Sequence, residues 1–175
     1  VIQMTGKKKR KNKLVAISGG FDPIHIGHLQ LIRAAAKYGR VVVILNTDQW
    51  LLDKKGYYFM TLEERIELLK SIKKVARVVV ADDADGTVAN TLRKVEPDYF
   101  ANGGTIDEES ICQREREVCD EVGIEMVFAI GGRKVQSSSE LVKKLTKKKS
   151  NRSGMDEFRD IIDSFHATNT SFSEK

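Results

Sequence analysis

The sequence has little of what most often builds a chemical centre. Among 175 residues there are two cysteines, three histidines and one tryptophan. Cys112 and Cys119 stand seven apart on an expected helix. That puts them two turns apart on one face, too far for a disulfide, and they lack the paired spacing of a zinc site. They read as reduced thiols, as in a cytoplasmic protein. No apolar run approaches the roughly 20 residues of a membrane span. No apolar segment follows the basic residues near the N-terminus, so a secretory leader is not expected there. A Gly-x-x-x-x-Gly-Lys-Ser/Thr loop is missing, which excludes a P-loop nucleotide hydrolase. Gly-x-Gly-x-x-Gly does not follow the first apolar run, which argues against a dinucleotide oxidoreductase. No Ser or Cys nucleophile is set beside a base and an orienting acid. There is no internal repeat.

What is present suits one globular domain with a real core: 41% hydrophobic and 31% charged residues. The net charge of +5 comes from two segments. Residues 7–13 and 143–152 carry six Lys/Arg each, leaving 18 basic against 25 acidic residues elsewhere. Both basic stretches read as solvated ends, and nucleic acid is not expected as a partner.

Short continuous apolar runs predict buried strands at 14–18, 41–45, 76–81, 98–101 and 124–129. Helices are expected from 29 to Tyr38-Gly39, and over 62–74, 87–95, 107–121 and 139–147. Thr61 and Glu64 have the spacing of a capping box, and residues 49–60 read as a long functional loop. This alternation predicts an α/β, Rossmann-like, five-stranded parallel sheet with helices on both faces. Strand-end segments 19–28, 46–58, 82–86, 102–105 and 130–139 would then share one edge. The expected organisation is a basic flexible tail over 1–13, a domain over 14–146, and a C-terminal helical extension over 147–175. In that extension a short amphipathic helix at 155–165 docks on the domain or pairs with a second copy, so a homodimer is expected.

The chemistry concentrates in Ser18-Gly19-Gly20-Phe21-Asp22-Pro23-Ile24-His25-Ile26-Gly27-His28, which holds two of the three histidines. Glycines there let backbone approach a ligand, and the helix start that follows suits phosphate. Asp82, Asp83 and Asp85 could hold magnesium, but Asp85 as a cap for helix 87–95 is the preferred reading, and no residue is assigned as a metal ligand.

Gly20 to His28 matches the His-x-Gly-His signature of the cytidylyltransferase-like nucleotidyltransferase superfamily. Asn46-Thr47-Asp48, Glu64-Arg65, Pro97 to Gly104, and Ser137-Ser138-Ser139 resemble four further elements of that family, in order. The nearest groups are the glycerol-3-phosphate cytidylyltransferases and the heptose-phosphate adenylyltransferases. The resemblance implies that a phosphorylated or phosphonate acceptor attacks the α-phosphorus of CTP or ATP, CTP being favoured, with loss of pyrophosphate. It implies Mg2+ carried with the triphosphate. His25 and His28 would stabilise charge on the α-phosphate, Lys54 or Lys55 would neutralise phosphate, and Arg65 would anchor the acceptor. Gly19, Gly20, Phe21, Asp22, Asn102, Gly103, Ser137, Ser138 and Ser139 would contact the nucleotide. Asp22 could instead cap the helix, and Arg65 could be a surface ion pair. Two departures stand out. Asn102 replaces a lysine found in several relatives, and Gly132 stands where the glycerol-phosphate group has an arginine, with Arg133 one residue off. A catalytically silent nucleotide-binding regulator and a sugar-phosphate adenylyltransferase stay open as alternatives.

Overall fold

Each apolar run is long enough for one pass through a core, and β-branched residues dominate the second and third. In the computed structural model, which describes residues 12–82, 84–104, 108–132, 137–139, 141 and 159–164, they form β1 (Leu14–Gly19), β2 (Arg40–Leu45), β3 (Val75–Val80), β4 (Tyr99–Gly103) and β5 (Glu125–Ile130). All neighbours pair in parallel, in the order β3-β2-β1-β4-β5. The helices are α1 (Ile26–Ala35), α2 (Asp48–Lys55), α3 (Leu62–Ser71), α4 (Ala89–Val95) and α5 (Gln113–Val122).

The chain builds outward from β1 twice, first through β2 and β3, then back through β4 and β5. The reversal leaves a crevice beyond the carboxyl end of β1, where open α/β sheets bind ligands. Side-chain alternation along the central strands feeds two cores. Val15, Ile17, Val43 and Leu45 pack with Ile32 and Ala35 of α1 and Leu69 of α3. Ala16, Ile44 and Phe100 pack on the other face with Leu92 of α4 and Val118 and Cys119 of α5. The expected sheet with helices on both faces is therefore the observed one.

Four boundaries differ from the sequence reading. The supposed loop 49–60 contains α2, which Thr47 caps through the Trp50 N–H and Gly56 ends at φ 80°. Its residues have no apolar stripe, so periodicity does not reveal it; the cap and the glycine do. Helix α1 stops at Ala35, short of Gly39. Helix α5 starts at Gln113, with Cys112 as its cap residue rather than on its face. Asp85 does not cap α4, whose cap position is Val88; its carboxylate accepts from the Thr87 N–H and hydroxyl instead. Residues 1–11, Asp83, Arg133, most of the expected helix at 139–147 and the linker lie outside the described residues. Of the expected C-terminal helix, 159–164 is helical, and Ile162 packs on Tyr57. Among the described residues no helix is long and apolar enough to cross a membrane.

Gly39 fixes how closely β1 and β2 can start. A Cβ there would stand 2.3 Å from the Lys13 carbonyl oxygen, which accepts the Arg40 N–H at 2.8 Å. Backbone cannot yield as a flexible side chain would. Gly39→Ala is expected to lower stability by about 1–3 kcal/mol, read as a shift of the urea midpoint; an unchanged midpoint would disprove this packing constraint.

Candidate active site

The site is assembled from strand ends. Beyond β1 the chain turns through Phe21, which adopts φ 50° and buries its ring. Gly20 leaves room beside it for Leu51 of α2: a Cβ would lie 2.6 Å from Leu51 Cδ2, so that side chain would have to shift. The chain then enters α1 through a capping box built from two imidazoles. His25 is the cap, and its Nδ1 accepts the Gly27 N–H at 3.1 Å; His28 Nδ1 accepts the His25 N–H at 3.3 Å. The rings stack at 3.9 Å with a 23° interplanar angle, and Phe21 packs 4.7 Å from His28.

This arrangement sets the tautomers. A nitrogen that accepts a hydrogen bond carries no hydrogen, so each neutral ring holds its proton on Nε2. Two Nε2–H donors are thereby presented as a pair, at a helix N-terminus whose backbone adds positive potential. They line a cavity of about 370 Å³. The same cavity is lined by Gly19, Gly20, Phe21 and Asp22, by Lys54 and Lys55 of α2, by Asn102 and Gly103 of β4, and by Ser137, Ser138 and Ser139. The Ser138 hydroxyl donates to the Pro23 carbonyl at 3.1 Å, tying the serine run to the histidine loop.

Two cations and one donor are poised there. Lys54 Nζ sits 4.2 Å above the Trp50 ring, which orients it without neutralising it. Lys55 donates to the Asp22 carbonyl at 3.0 Å, and its burial pulls its pKa below the ordinary lysine value. Asn102 is buried, and its Nδ2 finds no hydrogen-bond partner among the described residues. A buried donor left unmade is costly, so it is suited to an acceptor on a ligand.

Two of the expected ligand-contact residues are also engaged by the fold itself. Arg65 does not line the cavity and is fully buried. It donates to the carbonyls of Gly20 at 2.7 Å, Asn46 at 2.9 Å and Met60 at 3.2 Å, and pairs with Asp48 at 2.5 Å. Its ion pair is therefore a buried one rather than a surface one, and its guanidinium is engaged by three backbone carbonyls and Asp48. The Asp22 carboxylate neither caps α1 nor faces outward: it accepts the Phe59 and Met60 N–H groups, both at 2.7 Å. Burial pushes its pKa up, and those two donors, with Lys55 and Arg65, oppose the rise. Trp50, which falls in the segment read as a functional loop, also lines the cavity, as does Leu51, which was hidden with α2 itself.

Among the described residues no three His, Cys, Asp or Glu side chains form a metal cluster. Asp82 pairs with Lys94 and Asp85 with Arg114. The Asp22 carboxylate already accepts two backbone N–H groups, and the rest of the described lining offers nitrogen donors, hydroxyls and cations rather than a carboxylate cage. Such a donor set suits the phosphates of a nucleotide, not a metal ion held by protein.

A donor-lined cavity at the reversal point of a parallel sheet, opening on a helix N-terminus, defines a nucleotide-binding α/β protein. The chain belongs to the cytidylyltransferase-like family, whose description matches residues 16–168. Over 121 residues it is 31% identical to the FAD synthase of Thermococcus onnurineus, covering 67% of this chain and 78% of that one. Over 141 residues it is 31% identical to the bifunctional protein HldE of Gluconobacter oxydans, covering 75% of this chain but 27% of HldE. The chain thus spans about a quarter of that relative. Among solved structures, a lipopolysaccharide core biosynthesis protein of Thermoplasma volcanium shares the fold with a TM-score of 0.56 at 22% identity, over 67% of this chain and 94% of that one. A pantoate-beta-alanine ligase of Francisella tularensis shares it with a TM-score of 0.55 at 13% identity, over 89% of this chain and 78% of that one.

Arg65→Met is expected to cost about 3–5 kcal/mol in urea denaturation, because it strands three carbonyls and the Asp48 charge. Arg65→Lys should recover only part of this, since an ammonium cannot span the same acceptors. Full stability with a raised acceptor KM would return Arg65 to substrate binding. His25 can be divided in the same way. His25→Asn keeps a side-chain cap and should hold stability within a few tenths of a kcal/mol, whereas His25→Ala loses about 1 kcal/mol. Both should lose turnover, and an active His25→Asn enzyme would reduce His25 to a cap.

Proposed function

We propose that the chain transfers a nucleotidyl group from ATP or CTP to a small acceptor bearing a phosphate or phosphonate, releasing pyrophosphate. The observation that carries this reading is the pair of Nε2–H donors set by the two-histidine capping box. An acceptor oxygen attacks the α-phosphorus in line. The bond from that phosphorus to the bridging oxygen of the β-phosphate breaks, and pyrophosphate leaves with the electron pair. The attacking oxygen is already ionised at neutral pH, so no general base is needed. That suits a cavity whose one lining carboxylate, Asp22, is occupied by backbone donors.

Catalysis is then electrostatic. His25 and His28 donate to the α-phosphoryl oxygens as negative charge gathers there. The serine run and Lys54 hold the leaving phosphates, and Asn102 donates to an oxygen of either substrate. Magnesium enters as the counter-ion of the triphosphate and is part of the substrate. The adenylyl group is the better-supported choice, since FAD, the compound named in one relative, is a flavin mononucleotide joined to an adenylyl group. The cytidylyl alternative rests on the resemblance to glycerol-phosphate enzymes, which Gly132 weakens.

The test crosses ATP, CTP, GTP and UTP with phosphorylated sugars, polyols and flavin mononucleotide, reading pyrophosphate release. Release is expected only with nucleotide, Mg2+ and acceptor together, and fastest with ATP. His28→Ala should lower kcat by about 10³-fold or more while leaving the fold intact. Tight nucleotide binding with no release from any acceptor would favour a silent regulator instead.

A further inference from the structure

The edge of the sheet opposite the active site carries a second concave surface. A groove of about 600 Å³ lies where β1, β2 and β3 begin. Five cations line it: Lys13, Lys37, Arg40, Lys73 and Lys74. All five are exposed, and among the described residues no acidic one lines the groove. Among the described residues, Lys37, Arg40, Lys73 and Lys74 enter no ion pair. Lys13 is held by the Tyr99 hydroxyl, with its ammonium 4.6 Å from the Tyr99 ring centroid. Tyr38 lies beside it, its ring edge-on to Tyr99 at 5.5 Å and its surface partly exposed. In sequence, the run Lys7-Lys8-Lys9-Arg10-Lys11 joins the chain at Asn12, another residue of the groove.

We infer that this groove is a binding surface for single-stranded nucleic acid, held by its phosphodiester backbone against the five cations with a base against Tyr38. Unpaired cations in a concavity with an adjoining aromatic ring are what a single strand needs: charge along the backbone and a platform for stacking. A concave surface receives a narrow chain of phosphates better than it meets a flat bilayer. Among the described residues, Tyr38 alone of the exposed large apolar side chains belongs to the groove, which is too little to insert into acyl chains. The sequence reading treats the basic tail as a solvated end; the fold gathers three separated basic segments, Lys13, Lys37 with Arg40, and Lys73 with Lys74, at the point where the tail begins. The groove stands about one strand length, roughly 20 Å, from the histidine pair, so an occupied groove leaves the nucleotide cavity open.

The experiment measures binding of the full chain to a fluorescein-labelled, mixed-sequence 20-nucleotide single strand by anisotropy across a salt series. Binding should weaken steeply with salt, by about 0.7 in log–log slope for each phosphate contacted. The quadruple variant Lys37→Gln, Arg40→Gln, Lys73→Gln, Lys74→Gln should raise Kd at least about tenfold and flatten the slope by about 3. Its urea midpoint and pyrophosphate release should match the parent. Should that variant fold poorly, Lys73→Gln with Lys74→Gln should flatten the slope by about half as much. Three results would each overturn the inference. The first is parent affinity weaker than about 100 μM at physiological salt. The second is unchanged binding by the groove variants together with loss on replacing residues 7–11 by glutamine. The third is groove-dependent binding to phosphatidylserine vesicles with no effect of the groove variants on the oligonucleotide.

Discussion

One buried guanidinium holds the site together. Arg65 reaches from α3 to the carbonyl beyond β1, the carbonyl beyond β2 and the carboxylate that begins α2. Those three segments carry the phosphate loop, the turn into the lysine helix and Lys54 itself. A guanidinium is suited to this because its planar fork offers five donors and keeps its charge when buried. Burying it carries a desolvation penalty, which the Asp48 ion pair and three carbonyls offset. No apolar side chain could satisfy those carbonyls, two of which, of Gly20 and Asn46, lie just past the last ladder bond between β1 and β2, from the Asn46 N–H to the Gly19 carbonyl.

A second layer of the same construction surrounds Asp22. Its two oxygens take the N–H groups of Phe59 and Met60, while its own carbonyl takes the Lys55 ammonium. The residues that enter α3 are thereby fastened to the phosphate loop. Arg65 and Asp22 both sit inside sequence that looks like binding machinery, and both fasten its segments to one another. The cavity is lined as well by His25, His28, Lys54 and Asn102, side chains that carry N–H groups suited to a phosphate. This division lets a site with few charged ligand contacts stay rigid, which electrostatic catalysis requires, because donors that had to reorient would lose much of their advantage.

The fold was largely legible in the sequence because all five strands are short apolar runs, and such runs have few other interpretations; the expectation of burial holds for the central strands, whereas β3 and β5 at the sheet edges are mostly half-buried or exposed. The histidine loop was legible for a different reason: glycines, two histidines and a helix start coincide within eleven residues. What could not be read was direction. Spacing places Arg65 near the cavity but does not say that its fork turns inward, since an arginine on an amphipathic helix is equally suited to solvent. Asp22 has the same ambiguity, because its partners lie 37 and 38 residues away and belong to a segment without periodicity. Helix α2 was missed since its stability comes from a threonine cap and a glycine stop rather than from an apolar face.

The two edges of the sheet also differ in a way that parallel topology imposes. At the carboxyl edge α1 and α2 present their N-termini, so backbone supplies positive potential there and few side-chain charges are needed. At the opposite edge α1 and α3 present C-termini beside Lys37 and Lys73. Each helix end carries about half a unit of negative charge, and a lysine at each would suffice to balance them. Lys13 and Arg40 belong to strand starts, with no helix end to compensate, and Lys74 adds to a terminus already balanced. The cationic character of this groove therefore exceeds what helix stability explains. That excess separates a surface built to attract polyanions from the ordinary placement of lysines at helix ends.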